Sequence, residues 1–479
     1  MYIKKVLVPG AKVYFIGIKG TGMCALAELL VNSGVQVSGS DQDEIFYTDG
    51  ILKELGVPYH ESFAPEHIPG GIDLVVYSAA YSVDTNPEMA EARNRGIPML
   101  KYADALGAYS AGFDSSGIAG VHGKTTTTAM AGALIRGVGL PAQVLAGSAV
   151  SAFGGRSTLN LGNKYFVAET CEYRKHFLAF HPRRVVLTSV EGDHQDFYPT
   201  YESIRDAFIE YVRLLPPGGE LIYCADDPGA REVAERIAGE GRGVALVPYG
   251  FTAPGDFGIC SFQVSGERLR VKVRGFPGEL LLRLPGRHSA LDATAALALT
   301  DSLVKNEGGW TGEKQEKLRS ALEAFRGSRR RSEIVGEYGG ILFMDDYGHH
   351  PTALRTTLEG LKEFYPHRRL IVSFMSHTYT RTASLADEFA ASLEKADVVI
   401  LHKIYASARE SYRGGVTGRT LFEKTRALRD GVYYVDEPED AVEMLKGMFR
   451  PGDLFLTLGA GDNWKLGKAL AGYYGGTAR

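Results

Sequence analysis

Short apolar runs recur along this chain, each closed by glycine or polar residues and followed by a stretch of helical length. The first, Lys12-Val13-Tyr14-Phe15-Ile16, leads through Gly17-Ile18-Lys19-Gly20-Thr21-Gly22 into a helical stretch from Cys24 to Ser33, and Gln36 to Asp41 returns as a second strand. This is the pattern of a βαβ unit with a glycine-rich first turn and an acid at the end of its second strand. Leu74–Ser78 and the segment around Pro98-Met99-Leu100 extend the same sheet. A second block opens with Ser116-Gly117-Ile118-Ala119, a glycine loop and a helix over Thr126 to Ile135, and continues with strands at Tyr165–Glu169 and Arg184–Val190. Near 257–284 the period changes. Phe262-Gln263-Val264 and Leu269-Arg270-Val271-Lys272-Val273 alternate apolar and polar, which predicts a small antiparallel insertion. A helix over His288 to Val304 follows. After Arg331 a third block predicts strands at Ile341–Asp346, Leu370–Phe374, Val398–Leu401 and Leu454–Gly459 with helices between them. The predicted fold is α/β, in three domains spanning 1–112, 113–328 and 329–479.

The second block carries the sharpest chemistry. In Gly120-Val121-His122-Gly123-Lys124-Thr125, a glycine loop joins a strand to a helix start. Backbone N–H groups and the helix dipole there favour an anion, and Lys124 adds a full charge. Thr125 is placed to give its hydroxyl to a magnesium ion held by the same phosphates. The general phosphate-loop spacing puts a glycine where Ile118 stands, with Gly117 and Gly120 on either side. Glu169 and Glu172 follow one strand end, and Glu191, Asp193 and His194 follow another. Taken singly, each reads as a solvated loop acid or base. Together, at corresponding strand ends near a phosphate loop, they supply the ligands of a magnesium–nucleotide site. The first block's glycine turn is a weaker signal, one residue off the dinucleotide fingerprint. A nicotinamide cofactor with Asp41 on a ribose remains open from these residues alone.

Composition narrows the class. At 479 residues the chain exceeds one core, and 23% charged residues are ordinary for a globular protein. The net charge of −4 gives no global basic field for nucleic acid. The run Arg326-Gly327-Ser328-Arg329-Arg330-Arg331 is local. The four cysteines (Cys24, Cys171, Cys224 and Cys260) show no paired spacing, which points away from zinc or disulfides and toward a reducing cytoplasm. Met1-Tyr2-Ile3-Lys4-Lys5 lacks the apolar stretch of a signal peptide, and no run is long enough to span a membrane.

An ordered set of motifs across nearly the whole chain resembles the Mur ligase family, most closely its alanine-adding branch. They are GIKGTGM at 17–23, SGSD at 38–41, NPE at 86–88, GVHGKTTTT at 120–128, AETCE at 168–172 and EGDHQDFY at 191–198. LPGRHSALDA at 284–293, FRGSRRRSE at 325–333, DDYGHHPT at 345–352, SHTYTRT at 376–382 and GAGDN at 459–463 complete the set.

The resemblance implies an ATP-dependent ligase that adds L-alanine to UDP-N-acetylmuramate through an acyl phosphate, in a Rossmann-like UDP-binding domain, a central ATPase domain and a Rossmann-like closing domain. A murein tripeptide or another amino acid is the near alternative as acceptor. A nucleotide-binding regulator or a nicotinamide-dependent protein is the alternative of a different class. By the same resemblance, Gly120, His122, Gly123, Lys124, Thr125 and Thr126 hold the ATP phosphates, and His288, Asp292, Asp345 and Tyr347 the rest of the nucleotide. Thr125, Glu172 and His194 bind magnesium. Lys124, His194, Arg330 and His349 act in catalysis, and His377 and Arg381 place the amino acid. Gly17, Lys19, Gly20, Thr21, Gly22, Ser40 and Asp41 hold the UDP-sugar. Neither nucleic acid nor membrane is an expected partner, the expected state is a monomer or homodimer, and ligands are expected to draw the domains together. Some positions depart from the family pattern. Lys19 stands where glycine is usual, to contact the diphosphate or point to solvent. Cys171 stands for an aspartate, Ser289 and Asp292 for asparagines, and Ser376 and Thr378 for a proline and an arginine near the acceptor.

Overall fold

The computed structural model describes residues 7–406, 410 and 414–476, so the amino-terminal residues read above for a leader lie outside it. The chain divides into two compact units. One is Met1–Glu191 with Tyr201–Ile259 and Asp292–Ala321, the other Gly192–Thr200 with Cys260–Leu291 and Leu322–Arg479. Among the described residues, no helix is long and apolar enough to cross a membrane.

The first unit opens with a parallel sheet of β1 (Lys12–Ile16), β2 (Gln36–Ser40), β3 (Tyr59–His60), β4 (Leu74–Tyr77) and β5 (Met99–Lys101), ordered β3-β2-β1-β4-β5. Val13 to Ile16 are almost wholly buried, as expected of a central parallel strand covered on both faces. Strand order reverses at β1, so ligands are expected beyond its carboxyl end, where the Gly17–Gly22 turn meets the helix Thr21–Asn32.

The same unit carries β6 (Asp114–Ala119), β7 (Ala142–Val150), β8 (Arg156–Asn160), β9 (Tyr165–Glu169), β10 (Arg184–Leu187), β11 (Glu220–Cys224) and β12 (Ala245–Gly250). They run in the order β12-β11-β10-β6-β9-β7-β8, parallel except for the β7–β8 hairpin. The phosphate-loop strand β6 is thus central. Its helix, Lys124–Val138, buries Ala129, Met130, Ala131, Leu134 and Ile135. The chain continues into β13 (Phe257–Val264), β14 (Leu269–Val273) and β15 (Leu280–Leu282). β14 and β15 are antiparallel, with Leu269, Val271 and Val273 buried between exposed Arg270 and Lys272, which is the expected insertion.

The second unit contains β16 (Glu333–Tyr338), β17 (Ile341–Asp346), β18 (Arg369–Phe374), β19 (Val398–Leu401), β20 (Val432–Tyr434) and β21 (Asp453–Leu458), ordered β16-β17-β21-β18-β19-β20. β16 is an antiparallel edge strand on an otherwise parallel sheet. Phe343, Ile371, Ile400 and Phe455 pack with Leu445, Leu466 and Leu470 in its core.

Candidate active site

Gly120 and Gly123 hold φ of +137° and +80°, and the helix begins at the next residue, Lys124. A side chain at position 123 would strike Asp292, since its Cβ would lie 2.6 Å from Oδ1. Asp292 also accepts the Thr127 hydroxyl at 3.0 Å, so it braces the loop and its first helical turn. Of the residues expected to hold the nucleotide beyond its phosphates, Asp292 lies at the phosphate loop. His288, in the other unit, lies close to Gly286, and burial lowers its basicity. His122 donates its backbone N–H to Ser189 Oγ at 2.9 Å and pairs its ring with Glu191, while Thr126 is half-buried in the first helical turn.

Lys124 Nζ donates to the loop carbonyls of Gly120 and Val121 and pairs with Glu172 at 3.0 Å. Burial opposes its charge, but Glu172 and Glu169 outweigh this and keep the ammonium protonated. The carboxylate against the Thr125 hydroxyl is Glu169, at 2.8 Å, and the same oxygen accepts Gly147 N–H at 2.8 Å. Glu172, expected to share a magnesium ion with Thr125, lies instead against Lys124. The β6–β9 register sets Glu169 opposite Ile118, level with the start of the loop. Three residues on, the chain has turned and Glu172 faces Lys124. Thr125 and Glu169 present hard oxygen ligands, a donor set that suits Mg²⁺.

The first glycine turn is held from beneath. Ser40 C=O accepts the N–H groups of Gly17 and Ile18 at 2.8 and 3.1 Å, and Asp41 Oδ2 accepts that of Lys19 at 2.7 Å. Gly17 has φ +87°, and its bare Cα lies against Tyr81, whose Cε2 would be 2.8 Å from an added Cβ. Gly20 immediately precedes the helix that begins at Thr21. Lys19 does not point to solvent. Its side chain is 1% exposed, and Nζ meets Glu61 at 2.8 Å, Asp49 at 3.3 Å and the Glu44 carbonyl at 3.1 Å. Asp41 and Ser40 are likewise buried. A cavity of about 150 Å³ extends from Thr21 and Gly22 past Tyr102, Leu106 and Phe177 to Glu169 and Cys171.

The second unit gathers a different set. Arg381 donates Nε and Nη2 to Asp193 Oδ1 at 3.2 and 2.6 Å. Burial opposes the Asp193 charge, but the Arg381 guanidinium beside it overcomes this and holds the carboxyl far below its usual range. His194 stands beside this pair with φ +53°. His349 places Nδ1 3.0 Å from the Tyr347 carbonyl, and burial, with Arg381 adding to it, pushes its ring well below the usual imidazole range. The His377 ring lies 6.0 Å from that of His349, and its carbonyl accepts Arg381 Nη1. Arg330, also left-handed at φ +58°, donates to Asp345 at 2.9 Å and to the Gly459 carbonyl at 2.7 Å, and it stacks over Tyr347. Asp345 also accepts the Thr457 hydroxyl at 2.7 Å. Arg330 and Arg381, expected at a transferring phosphoryl group and at an incoming amino acid, are thus both engaged with carboxylates.

Three family models match in order along the chain: the Mur ligase family catalytic domain at 12–114, the Mur ligase middle domain at 118–300, and the Mur ligase glutamate ligase domain at 330–461. The chain is 53% identical over 468 residues, 98% of its length and 97% of the other's, to a Treponema pallidum (strain Nichols) protein named UDP-N-acetylmuramate–L-alanine ligase. The chain belongs to the Mur ligase family. A Borreliella afzelii protein of the same name is 37% identical to this Mur ligase, covering 95% of the chain and 97% of that protein. The crystal structure of UDP-N-acetylmuramate-alanine ligase from Thermotoga maritima superposes with a TM-score of 0.77 at 25% identity, covering 97% of this Mur ligase and 99% of that chain. A murein peptide ligase from Psychrobacter arcticus shares the fold, with a TM-score of 0.67 at 23% identity, and covers 97% of this chain and 99% of its own.

Proposed function

We propose that this Mur ligase joins L-alanine to UDP-N-acetylmuramate, consuming ATP and releasing ADP and phosphate. The observation that carries this reading is the 53% identity, end to end, with the Treponema pallidum protein of that name. The phosphate loop with its lysine and paired carboxylates supports it.

A carboxylate oxygen of the sugar nucleotide attacks the γ-phosphorus of ATP, the bond to the β-phosphate oxygen breaks, and ADP leaves an acyl phosphate. The amine of alanine then attacks the acyl carbon, phosphate departs, and the amine loses its proton. Such transfers need positioning and charge neutralisation more than covalent help. In this reading Lys124 exchanges Glu172 and its own loop carbonyls for the β- and γ-phosphates. Thr125 and Glu169 would hold Mg²⁺, which neutralises phosphate charge when bound. Asp292 keeps the loop in its left-handed turns. The Gly17–Gly22 turn holds the diphosphate on the N-terminus of the helix Thr21–Asn32, and the cavity running from Thr21 to Glu169 receives the sugar with its carboxylate arm. His194 and His349 serve the acyl phosphate, Asp345 and Tyr347 the nucleotide, Arg330 the developing phosphoryl charge, and His377 and Arg381 the amino acid. The domains divide at about 112 and 328, as the alternation of elements suggests.

Phosphate release from ATP tests the reading, with UDP-N-acetylmuramate present or absent and each amino acid in turn. Release is expected only with the sugar nucleotide and alanine together. Release that ignores the sugar nucleotide would sink the ligase reading, and dependence on a tripeptide in place of alanine would reassign the acceptor.

A further inference from the structure

The motif Asn86-Pro87-Glu88 places a carboxylate in an unusual position. Asn86 Oδ1 caps the helix Pro87–Asn94 by accepting the N–H groups of Glu88 and Met89 at 3.0 and 3.1 Å, and Pro87 opens the helix with φ already set. An acid in a first turn ordinarily faces solvent and the helix dipole. Glu88 is instead fully buried. Four donors converge on it. Oε1 accepts from the Tyr14 hydroxyl at 3.2 Å, Ala64 N–H at 3.3 Å and His67 Nδ1 at 3.1 Å, and Oε2 accepts from the Ser40 hydroxyl. His67 stacks on His60 with ring centroids 3.9 Å apart. Burial pushes the Glu88 carboxyl up, and the donors oppose that shift.

Ser40 is the link to function. Its side chain is held by Glu88, its carbonyl takes the Gly17 and Ile18 amides, and the next residue, Asp41, takes the Lys19 amide. Three consecutive amides of the glycine turn are therefore fixed by one dipeptide, and one end of that dipeptide is anchored on Glu88. The first N–H groups of the following helix have no intrahelical acceptor and are the donors for an anion. Their aim depends on where the turn is fixed.

We propose that Glu88 is a positioning residue for the sugar-nucleotide diphosphate, acting through Ser40 on the Gly17–Gly22 turn. This rests on the substrate reading given above. It is not a contact to the ligand. An ionised carboxylate can accept all four hydrogen bonds, whereas a glutamine amide turned toward the same donors cannot.

In steady-state assays of the full-length enzyme, Glu88→Gln is expected to raise KM for UDP-N-acetylmuramate at least about tenfold, with kcat and KM for ATP within about twofold. Ser40→Ala is expected to do the same, and the double variant no worse than either single one, because both cut one chain of contacts. Tyr14→Phe removes a donor to Glu88 and leaves the Ser40 bond, so it is expected to change KM by less than about twofold. Without any ligand, amide exchange at Gly17, Ile18 and Lys19 is expected to quicken in Glu88→Gln and not in Tyr14→Phe. Unchanged KM and exchange in Glu88→Gln would overturn the proposal, and so would an equal effect from Tyr14→Phe. If Glu88→Gln does not fold, Ser40→Ala decides by the same criteria. A wild-type enzyme that fails to bind the sugar nucleotide would overturn the substrate reading instead, and amide exchange would then judge the clamp.

Discussion

Two turns in this protein share one plan and treat their lysines in opposite ways. Gly17–Gly22 and Gly120–Thr125 each join the carboxyl end of a central parallel strand to the N-terminus of a helix, the local geometry that favours an anion. In the first, Lys19 is folded inward onto Glu61, Asp49 and a carbonyl, and it tethers the chain around Glu44 to the turn. In the second, Lys124 bonds to the loop's own carbonyls and to Glu172, partners that phosphate oxygens can replace. In the proposed function the first turn binds with backbone dipoles, the second with dipoles and a movable charge. A glycine turn with a lysine is therefore not one kind of site. The acceptors around the ammonium decide whether it is structural or chemical.

The largest expected effect falls on the second turn. Lys124→Ala should lower ATP turnover at least about 10²-fold, because a charge aimed at the transferring group is lost. Calorimetry with the sugar nucleotide should show nearly unchanged binding, and equal loss of both would erase the contrast between the turns. Next come the two carboxylates. Glu169→Gln is expected to weaken the apparent Mg²⁺ affinity about 10–100-fold in a magnesium titration of ATP turnover. Glu172→Gln should spare Mg²⁺ dependence and change the ATP requirement instead, since it frees Lys124. The reverse result would return the metal to Glu172. Lys19→Met should cost about 1–3 kcal/mol in denaturant unfolding, toward the lower end because Asp49 and Glu61 are partly exposed. A loss confined to sugar-nucleotide affinity at unchanged stability would make Lys19 a ligand contact after all.

The smallest effect belongs to neither turn and should be subtracted from both. His402 is buried between Ser373 Oγ and the Val435 carbonyl, and burial drives it down to about 4. Its folded value lies below its unfolded one, so its stabilisation is full above pH about 6.5 and is lost as pH falls toward 4. At pH about 5.5 this amounts to about 1 kcal/mol, and His402→Asn should flatten that slope in unfolding measured against pH.

The phosphate loop was legible because everything it needs lies within six consecutive residues, Gly120 to Thr125. The central strands that were read were legible for the same local reason, as buried strands read as unbroken apolar runs, whereas β3, β11, β12 and β20 were not read. The β7–β8 hairpin was not, since Ala142–Val150 is rich in small residues and does not alternate clearly. The edge strand β16 was missed as well, because Glu333-Ile334-Val335-Gly336-Glu337-Tyr338 neither alternates nor forms an unbroken apolar run. That Glu169, and not Glu172, meets the Thr125 hydroxyl depends on the register of β9 against β6, which no local pattern carries. Lys19 finds its acceptors 23 to 42 residues away, and Arg381 finds Asp193 at a separation of 188. Glu88 was visible only as part of a motif, and its burial comes from strands and loops distant in sequence.

The inward fold of Lys19 has a consequence for ionic conditions. With its charge cancelled locally by Asp49 and Glu61, the first turn, on the proposed function, presents oriented amides to a diphosphate rather than a net cation. Dissolved salt screens interactions between full charges and acts weakly on short hydrogen bonds. Affinity for the sugar nucleotide should therefore decline less steeply with added potassium chloride than affinity for ATP, so the enzyme would lose its energy source to brine before it loses the molecule it builds upon.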